Sequence, residues 1–375
     1  MKIFNCQACH NVIYFDNVQC IGCGRVLGYL ADVGLVSALE SAGDDRWQPL
    51  APEARSRQYR MCLNYRQEHV CNWMVNAEDC DAFCLACRLN QTIPDLSKPE
   101  NRTYWQRIES AKRWMVYGLL NLHLPFLNKQ QDPEHGLAFA FLSSPDPRAQ
   151  TNDTVMTGHD HGLITLNVAE AEDAVREETR LKMHEGYRTL LGHFRHEVGH
   201  YYWDRLIGPS EQLEPFRRVF GDERVEYAAA LQRHYNFAPP ADWQERFVSA
   251  YASMHPWEDW AESWAHYLLI VDTLETARNF SLRIPMPGTS DETAVGETGL
   301  AEYQPQSFTA MMESWFPLTY AINSLNRSMG QPDIYRFVLS PTAIEKLGFV
   351  HDIIARAASQ TGLLGFGEQW SRKPP

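Results

Sequence analysis

Five consecutive residues, His196-Glu197-Val198-Gly199-His200, have the types and spacing to cut an amide bond. On an α-helix, positions i and i+4 share a face, so His196 and His200 present two imidazoles to one point while Glu197 projects beside them. Two imidazoles and one further protein ligand leave the fourth position of a zinc ion to water, whose pKa then falls to about 7. A neighbouring carboxylate takes that proton and passes it to the leaving amine. The chemistry is hydrolysis of a peptide bond.

So short a motif also arises by chance in helices whose histidines face solvent or pack in a core. Its surroundings favour the catalytic alternative. Residues 170–206 read as one helix or two abutting ones, with apolar Leu190, Leu191, Phe194, Val198 and Tyr202 on a periodic face and Gly208-Pro209 as a stop. Gly199 costs such a helix about 1 kcal/mol relative to alanine, which makes sense if another backbone or a substrate must come close. A third ligand is expected in the segment His255-Pro256-Trp257-Glu258-Asp259-Trp260-Ala261-Glu262-Ser263-Trp264-Ala265-His266. Pro256 suits the first residue of a helix running through Tyr267 and Leu269, which sets Glu258 and Glu262 one turn apart. One of these carboxylates would bind zinc, and the other would orient a ligating imidazole from behind.

The pattern of His-Glu-x-x-His followed by a helix bearing paired acids resembles the gluzincin metallopeptidases. Pro256-Trp257-Glu258-Asp259-Trp260-Ala261-Glu262 is similar to the third-ligand helix of the anthrax lethal factor branch. That resemblance implies Glu258 as the zinc ligand and Glu262 as the orienting acid. It also implies that Tyr251, seven residues before Glu258, polarises the scissile carbonyl. A closer likeness is to a bacterial family of zinc-binding metallopeptidases with an N-terminal zinc ribbon. It rests on Cys71-Asn72-Trp73, Cys84-Leu85-Ala86-Cys87-Arg88-Leu89-Asn90, Thr157-Gly158-His159-Asp160, the run from Tyr187 to Glu197, and Asn326-Arg327-Ser328-Met329-Gly330. The resemblance reaches to about residue 350 and implies a fold and a reaction class but no substrate.

All nine cysteines fall within the first 87 residues, a clustering that indicates metal rather than disulfides in a cytosolic protein. Cys6-x2-Cys9 and Cys20-x2-Cys23 are two knuckles, with Gly22 and Gly24 allowing a tight turn in the second, and together they suit a closed tetrahedral zinc site. Cys84-x2-Cys87 is a third knuckle, which Cys62 and Cys71 would complete as a second structural site. Cys80 or His69 could replace Cys71 in that set. The cofactors expected are one catalytic and two structural zinc ions.

At 375 residues the chain is long enough for two or three domains, and its 44 % hydrophobic and 22 % charged residues are ordinary for a soluble globular protein. The fold class expected is α+β, with a zinc-ribbon region at 1–98, a mainly helical zincin-like domain with a small sheet at 99–355, and a tail at 356–375. Residues 28–55 suggest a short strand and a connection, and residues 136–142 and 162–168 read as strands. The second of these is the candidate for an edge that pairs with an extended substrate. No apolar run approaches the length of a bilayer span, and the N-terminus enters a cysteine motif at once, so a cytoplasmic protein is expected. The net charge of −13 is not that of a nucleic-acid binder. Even the first 98 residues carry nine Lys/Arg against eleven Asp/Glu, and the cluster at Arg55, Arg57 and Arg60 reads as a solvated face.

His159-Asp160-His161 is too compact a stretch to supply a ligand set. His193 reads as a packed or supporting residue, Asp204 as a partner for an imidazole or an arginine, and Asn323–Arg327 with Asp333–Tyr335 as rim residues. The expected function is a zinc peptidase acting on peptide or protein substrates, with no nucleic acid or membrane partner. The alternative is a non-catalytic zinc-ribbon adaptor that binds peptides, which would have no need for Glu197.

Overall fold

The computed structural model describes residues 2–143, 155, 157–182, 188–237, 239–284 and 307–362. The expected tail beyond 362 and Tyr187 of the family-like run lie outside these. The chain is α+β and forms two compact units. The first comprises the described residues within 1–117 and 126–175, and the second those within 118–125 and 176–362.

In the first unit a two-stranded ribbon, β1 (Phe4–Asn5) and β2 (Val12–Ile13), carries the first cysteine pair between its strands. The two N-terminal knuckles have one geometry. The amide of His10 bonds the carbonyl of Cys6 at 2.8 Å, and the amide of Gly24 bonds that of Cys20 at 2.8 Å. His10 and Gly24 both take left-handed backbone (φ 62° and 74°), so His10 does the work of a glycine in the first turn. Cys6 and Cys23 sulfurs lie 3.7 Å apart and those of Cys9 and Cys20 3.5 Å apart. A disulfide needs about 2.0 Å. Four thiolates around a tetrahedral zinc with bonds of about 2.3 Å sit about 3.8 Å from one another, which is the spacing here.

A five-stranded antiparallel sheet follows, from β3 (Val26–Leu30), β4 (Leu35–Gly43), β5 (Arg46–Pro49) and β6 (Tyr59–Met61), through α1 (Leu63–Arg66), to β7 (Met74–Asn76). Residues 28–55 thus hold more strand than the single short one expected. The first half of β4 is buried on both faces, which removes the alternation that would have marked it. Cys62, Cys71, Cys84 and Cys87 form a second, fully buried cluster, with the Cys71 and Cys84 sulfurs 3.7 Å apart. Cys80 is exposed and outside it. Beside Cys71, Asn72 donates to the Phe15 carbonyl and accepts from the Tyr29 amide at 2.9 Å, while Trp73 packs on the Phe15 and Tyr29 rings.

β8 (Asn90–Thr92) leads into α2 (Pro99–Asn121). Within the first unit this helix buries Glu109, Lys112 and Arg113. Glu109 Oε1 accepts from Asn90 at 2.6 Å, and from Trp105 and Lys112 at 3.0 Å each, while Arg113 donates to the Val70 carbonyl beside Cys71. Buried charges survive only when paired and hydrogen-bonded in this way. β9 (Ala138–Leu142), β10 (Gly158–Asp160) and β11 (Leu163–Asn167) complete a mixed sheet of order β10-β11-β9-β8, and α3 (Asp173–Lys182) follows. This corrects one expectation. β11 lies between β10 and β9 and both its sides are paired, so it is not an edge; among the described residues the edges are β10 and β8. A two-residue turn at His161-Gly162, both with positive φ, folds β10 back onto it. A side chain at Gly162 would also collide with the Gly136 carbonyl, 2.4 Å from its Cβ.

The second unit is helical: α4 (Leu190–Leu206), α5 (Leu213–Phe220), α6 (Tyr227–Asn236), α7 (Trp243–Arg246), α8 (Pro256–Asn279), α9 (Phe308–Ser328) and α10 (Pro341–Gly362). Helix α10 runs past 356, where a tail was expected to begin. Thr189 caps α4 by accepting from the Gly192 amide, and His255 caps α8 by accepting from the Trp257 amide, with Pro256 as first helical residue. α4 and α8 cross at Gly199. A Cβ there would sit 3.0 Å from the Ala261 Cα and 3.2 Å from the Trp264 Cβ, so glycine is the residue that permits the contact. Trp260 Nε1 donates to the Gly199 carbonyl at 2.8 Å, and Trp264 stacks on Tyr202 at 4.8 Å. α10 is bound to α8 by Lys346, whose ammonium meets Asp259 Oδ2 at 2.6 Å and the Arg246 carbonyl at 2.7 Å in full burial.

Two outcomes follow. Removing metal with a strong chelator, or substituting Cys84→Ser, should abolish the cooperative unfolding transition of the first unit, because a structural zinc site contributes its folding energy outright; an unchanged melt would contradict this. Lys346→Met should cost about 3–5 kcal/mol by stranding the Asp259 carboxylate, and adding Asp259→Leu should restore most of it. Denaturant titration of both variants measures the difference.

Candidate active site

The motif lies in the middle of α4, as its spacing requires, and its two imidazoles lie edge to face with ring centres 5.0 Å apart. One helical turn alone brings them together. The third group comes from α8 through the Gly199–Ala261 crossing. Glu258 Oε2 lies 3.0 Å from His196 Nε2 and 3.5 Å from His200 Nε2. Glu262, one turn on, contacts the other ring nitrogen: its Oε1 accepts from His196 Nδ1 at 2.8 Å, while its Oε2 accepts from the Ser249 hydroxyl at 2.6 Å. The two acids therefore face opposite nitrogens of one imidazole. A proton held on Nδ1 by Glu262 leaves the Nε2 lone pair pointing at the space shared with His200 and Glu258.

His196, His200 and Glu258 each offer one ligand atom within 4.8 Å of the others. Zinc bonds of about 2.0–2.1 Å in a tetrahedron put ligand atoms about 3.3 Å apart, and the 3.0 and 3.5 Å separations bracket that value. Charge makes the same demand. Glu258, Glu262 and Glu197 place three carboxylates around two histidines in a poorly solvated space. Burial opposes a charged His196, but the hydrogen bonds to Glu258 and Glu262 outweigh it and hold the ring well above its ordinary pKa. Burial likewise opposes a charged Glu258, and the histidines pull its carboxyl well below the usual range. The centre is built to surround positive charge, and a divalent cation supplies it as well as a proton does.

Glu197 is 8 % exposed, and burial lifts its carboxyl above the usual range against the pull of His196 and His200. A raised carboxylate is a better proton acceptor than one in water. Tyr251 lies with its ring centre 6.0 Å from that of His196, and burial with the nearby Glu258 charge keeps its phenol protonated, hence a donor.

Three neighbours carried no signal in the sequence. Tyr227, at the start of α6, donates to Glu258 Oε1 at 2.8 Å. Ser249 holds Glu262, and His234 packs on the Tyr251 ring at 5.5 Å. Tyr227 and His234 stand two turns apart on α6 and Ser249 lies between α7 and α8, so none shares a segment with the metal-ligand motif that could have marked it. His193 lies outside the ligand cluster, and burial drives it toward the neutral form. Asp204 is also outside it. His159 accepts from the Gly162 amide at 2.9 Å as part of the hairpin corner. The expected rim is partly core: Asn323 and Tyr335 are buried, and the Asn323 side chain donates to the Tyr335 carbonyl and accepts from its amide, while Arg327 pairs with Asp333 at 2.6 Å.

Residues 101–353 match the family described as "Putative zinc-binding metallo-peptidase", and residues 3–98 match a zinc-ribbon domain. Proteins of Mycobacterium bovis and Mycobacterium tuberculosis, each named only as uncharacterized, are 40 % identical over 359 residues, covering 96 % of both chains. No solved structure matches. With that model matched over more than half of the chain and the ribbon matched before it, the chain belongs to the family described as "Putative zinc-binding metallo-peptidase".

Proposed function

We propose that the chain is a gluzincin-type zinc peptidase that hydrolyses bonds in a peptide or protein substrate with Glu197 as general base. The observation that carries this reading is the convergence of His196 Nε2, His200 Nε2 and Glu258 Oε2 on one point beside the buried Glu197 carboxylate. Zinc held there supplies Lewis acidity, which brings a water molecule's pKa down toward neutrality.

This chain's own residues do the rest. Glu197 takes the proton of the attacking water on its carboxylate and returns it to the amine as the bond breaks. Glu262 keeps the proton of His196 on Nδ1 and the ring in place. Tyr251, protonated and beside the centre, donates a hydrogen bond to the oxygen on which negative charge develops. The two cysteine clusters are structural zinc sites in this reading, closed by four thiolates each and leaving no position for water. An adaptor that only binds peptides has no use for a carboxylate buried against two histidines. Among the described residues no helix is long and apolar enough to cross a membrane. Thiol clusters of this kind belong in a reducing compartment, which favours the cytoplasm.

Glu197→Gln should keep the metal and the fold and lower cleavage of a peptide library by about 10²–10⁴-fold, the usual share of a general base. Full turnover in that variant would overturn the mechanism. Zinc analysis of natively purified protein should find about three ions per chain, falling to about two in His200→Ala. Two in both would leave the cysteine sites filled and remove the catalytic centre from the account.

A further inference from the structure

Glu258 is the residue through which the centre is held in more than one way. Its Oε2 faces the two imidazoles, and its Oε1 accepts the Tyr227 hydroxyl at 2.8 Å. With the group 2 % exposed, water does not compete for either oxygen.

Tyr227 is itself firmly placed. Glu226 caps α6 by accepting from the Ala228 and Ala229 amides at 3.1 and 2.6 Å, which fixes the first turn on which Tyr227 stands. The Tyr227 ring packs against His255 at 5.2 Å. His255 joins the two helix starts, because its Nδ1 accepts from the Trp257 amide at 3.1 Å and its Nε2 donates to the Val225 carbonyl at 3.0 Å. A single imidazole thus caps the start of α8 and holds the segment entering α6.

We infer that Tyr227 is a positioning residue that restricts Glu258 to binding the metal through Oε2 alone. The inference rests on the peptidase reading above and adds the coordination mode of its third ligand. A carboxylate with both oxygens free can bind through two, which fills the coordination position that water and substrate need. A charge-assisted hydrogen bond to Oε1 opposes that swing, and outer partners of this kind are worth about 10–100-fold in metal affinity or activity.

The test uses the full chain with zinc kept in the cysteine sites and cobalt(II) titrated into the remaining site, for wild type and Tyr227→Phe. Absorption reports coordination number, since four-coordinate cobalt(II) has much stronger visible bands than five-coordinate. Competition with a chelator reports affinity, and a thermal melt reports folding. The wild type should show a four-coordinate spectrum. Tyr227→Phe should fold normally, bind about 10–100-fold more weakly and shift toward the weaker five-coordinate bands. A loss of packing alone would not change the coordination spectrum. Identical affinity and spectrum in the variant would overturn the inference while leaving the peptidase reading intact. A five-coordinate wild type would also overturn it, whether or not the variant folds. A wild type that takes no metal outside the cysteine sites would overturn both.

Discussion

The crossing of α4 and α8 at Gly199 and Ala261 is the contact on which the centre depends. A helix presents side chains over the turn before its own Cα, so an imidazole and a carboxylate on facing helices meet only if the axes come close at the right level. Absence of a side chain at Gly199 lets the Ala261 backbone approach. Trp260 then bonds the Gly199 carbonyl and Trp264 stacks on Tyr202, which sets the height and angle of the crossing. From that geometry follow the 3.0 and 3.5 Å separations of Glu258 from the two imidazoles and the 2.8 Å bond of Glu262 to the far nitrogen of His196. The cost of a glycine in mid-helix is offset by this packing.

The first turn of α8 carries unusual demands. Its N-terminus favours acidic residues through the helix dipole, which suits Glu258 and Asp259. Both are buried, however, and each needs its own partner: Tyr227 and the histidines for one, Lys346 for the other. Adjacent acids on one helix thus serve different ends, one facing the site and the other fastening α10. The His255 cap links the same turn to the start of α6. Chemistry and helix packing share the same few residues here.

The first unit solves a different problem. Its sheets are small, and two clusters of four sulfurs stand where a larger domain would rely on apolar volume. Around the second cluster the buried Glu109, Lys112 and Arg113 of α2 and the backbone of Val70 form a hydrogen-bonded frame. Four thiolates around one divalent cation leave a net negative charge, and Arg113 lies where it offsets that charge at Cys71. Removing the metal would leave both the sulfurs and the frame without their electrostatic reason.

Features set by spacing along the chain could be read directly. Two histidines four apart on a helix, acids one turn apart, and cysteines in paired knuckles are local patterns, because a helical turn or a tight turn brings their atoms together whatever the rest of the chain does. Gly199 was legible for the same reason: a mid-helix glycine is costly, and a close backbone approach explains it. What joins distant segments was not. Tyr227 and Ser249 reach the centre from separate segments with no repeating offset to mark them. Burial on both faces hid β4, and strand order, which places β11 inside its sheet, depends on pairing partners that no local period encodes. The sequence by itself determined the ligand types, their helices and the cysteine pairs. Only the tertiary structure decided which acid faces which nitrogen, that Cys80 stays outside the sulfur cluster, and that a tyrosine holds the far oxygen of Glu258, since each depends on where packing sets one helix or loop against another.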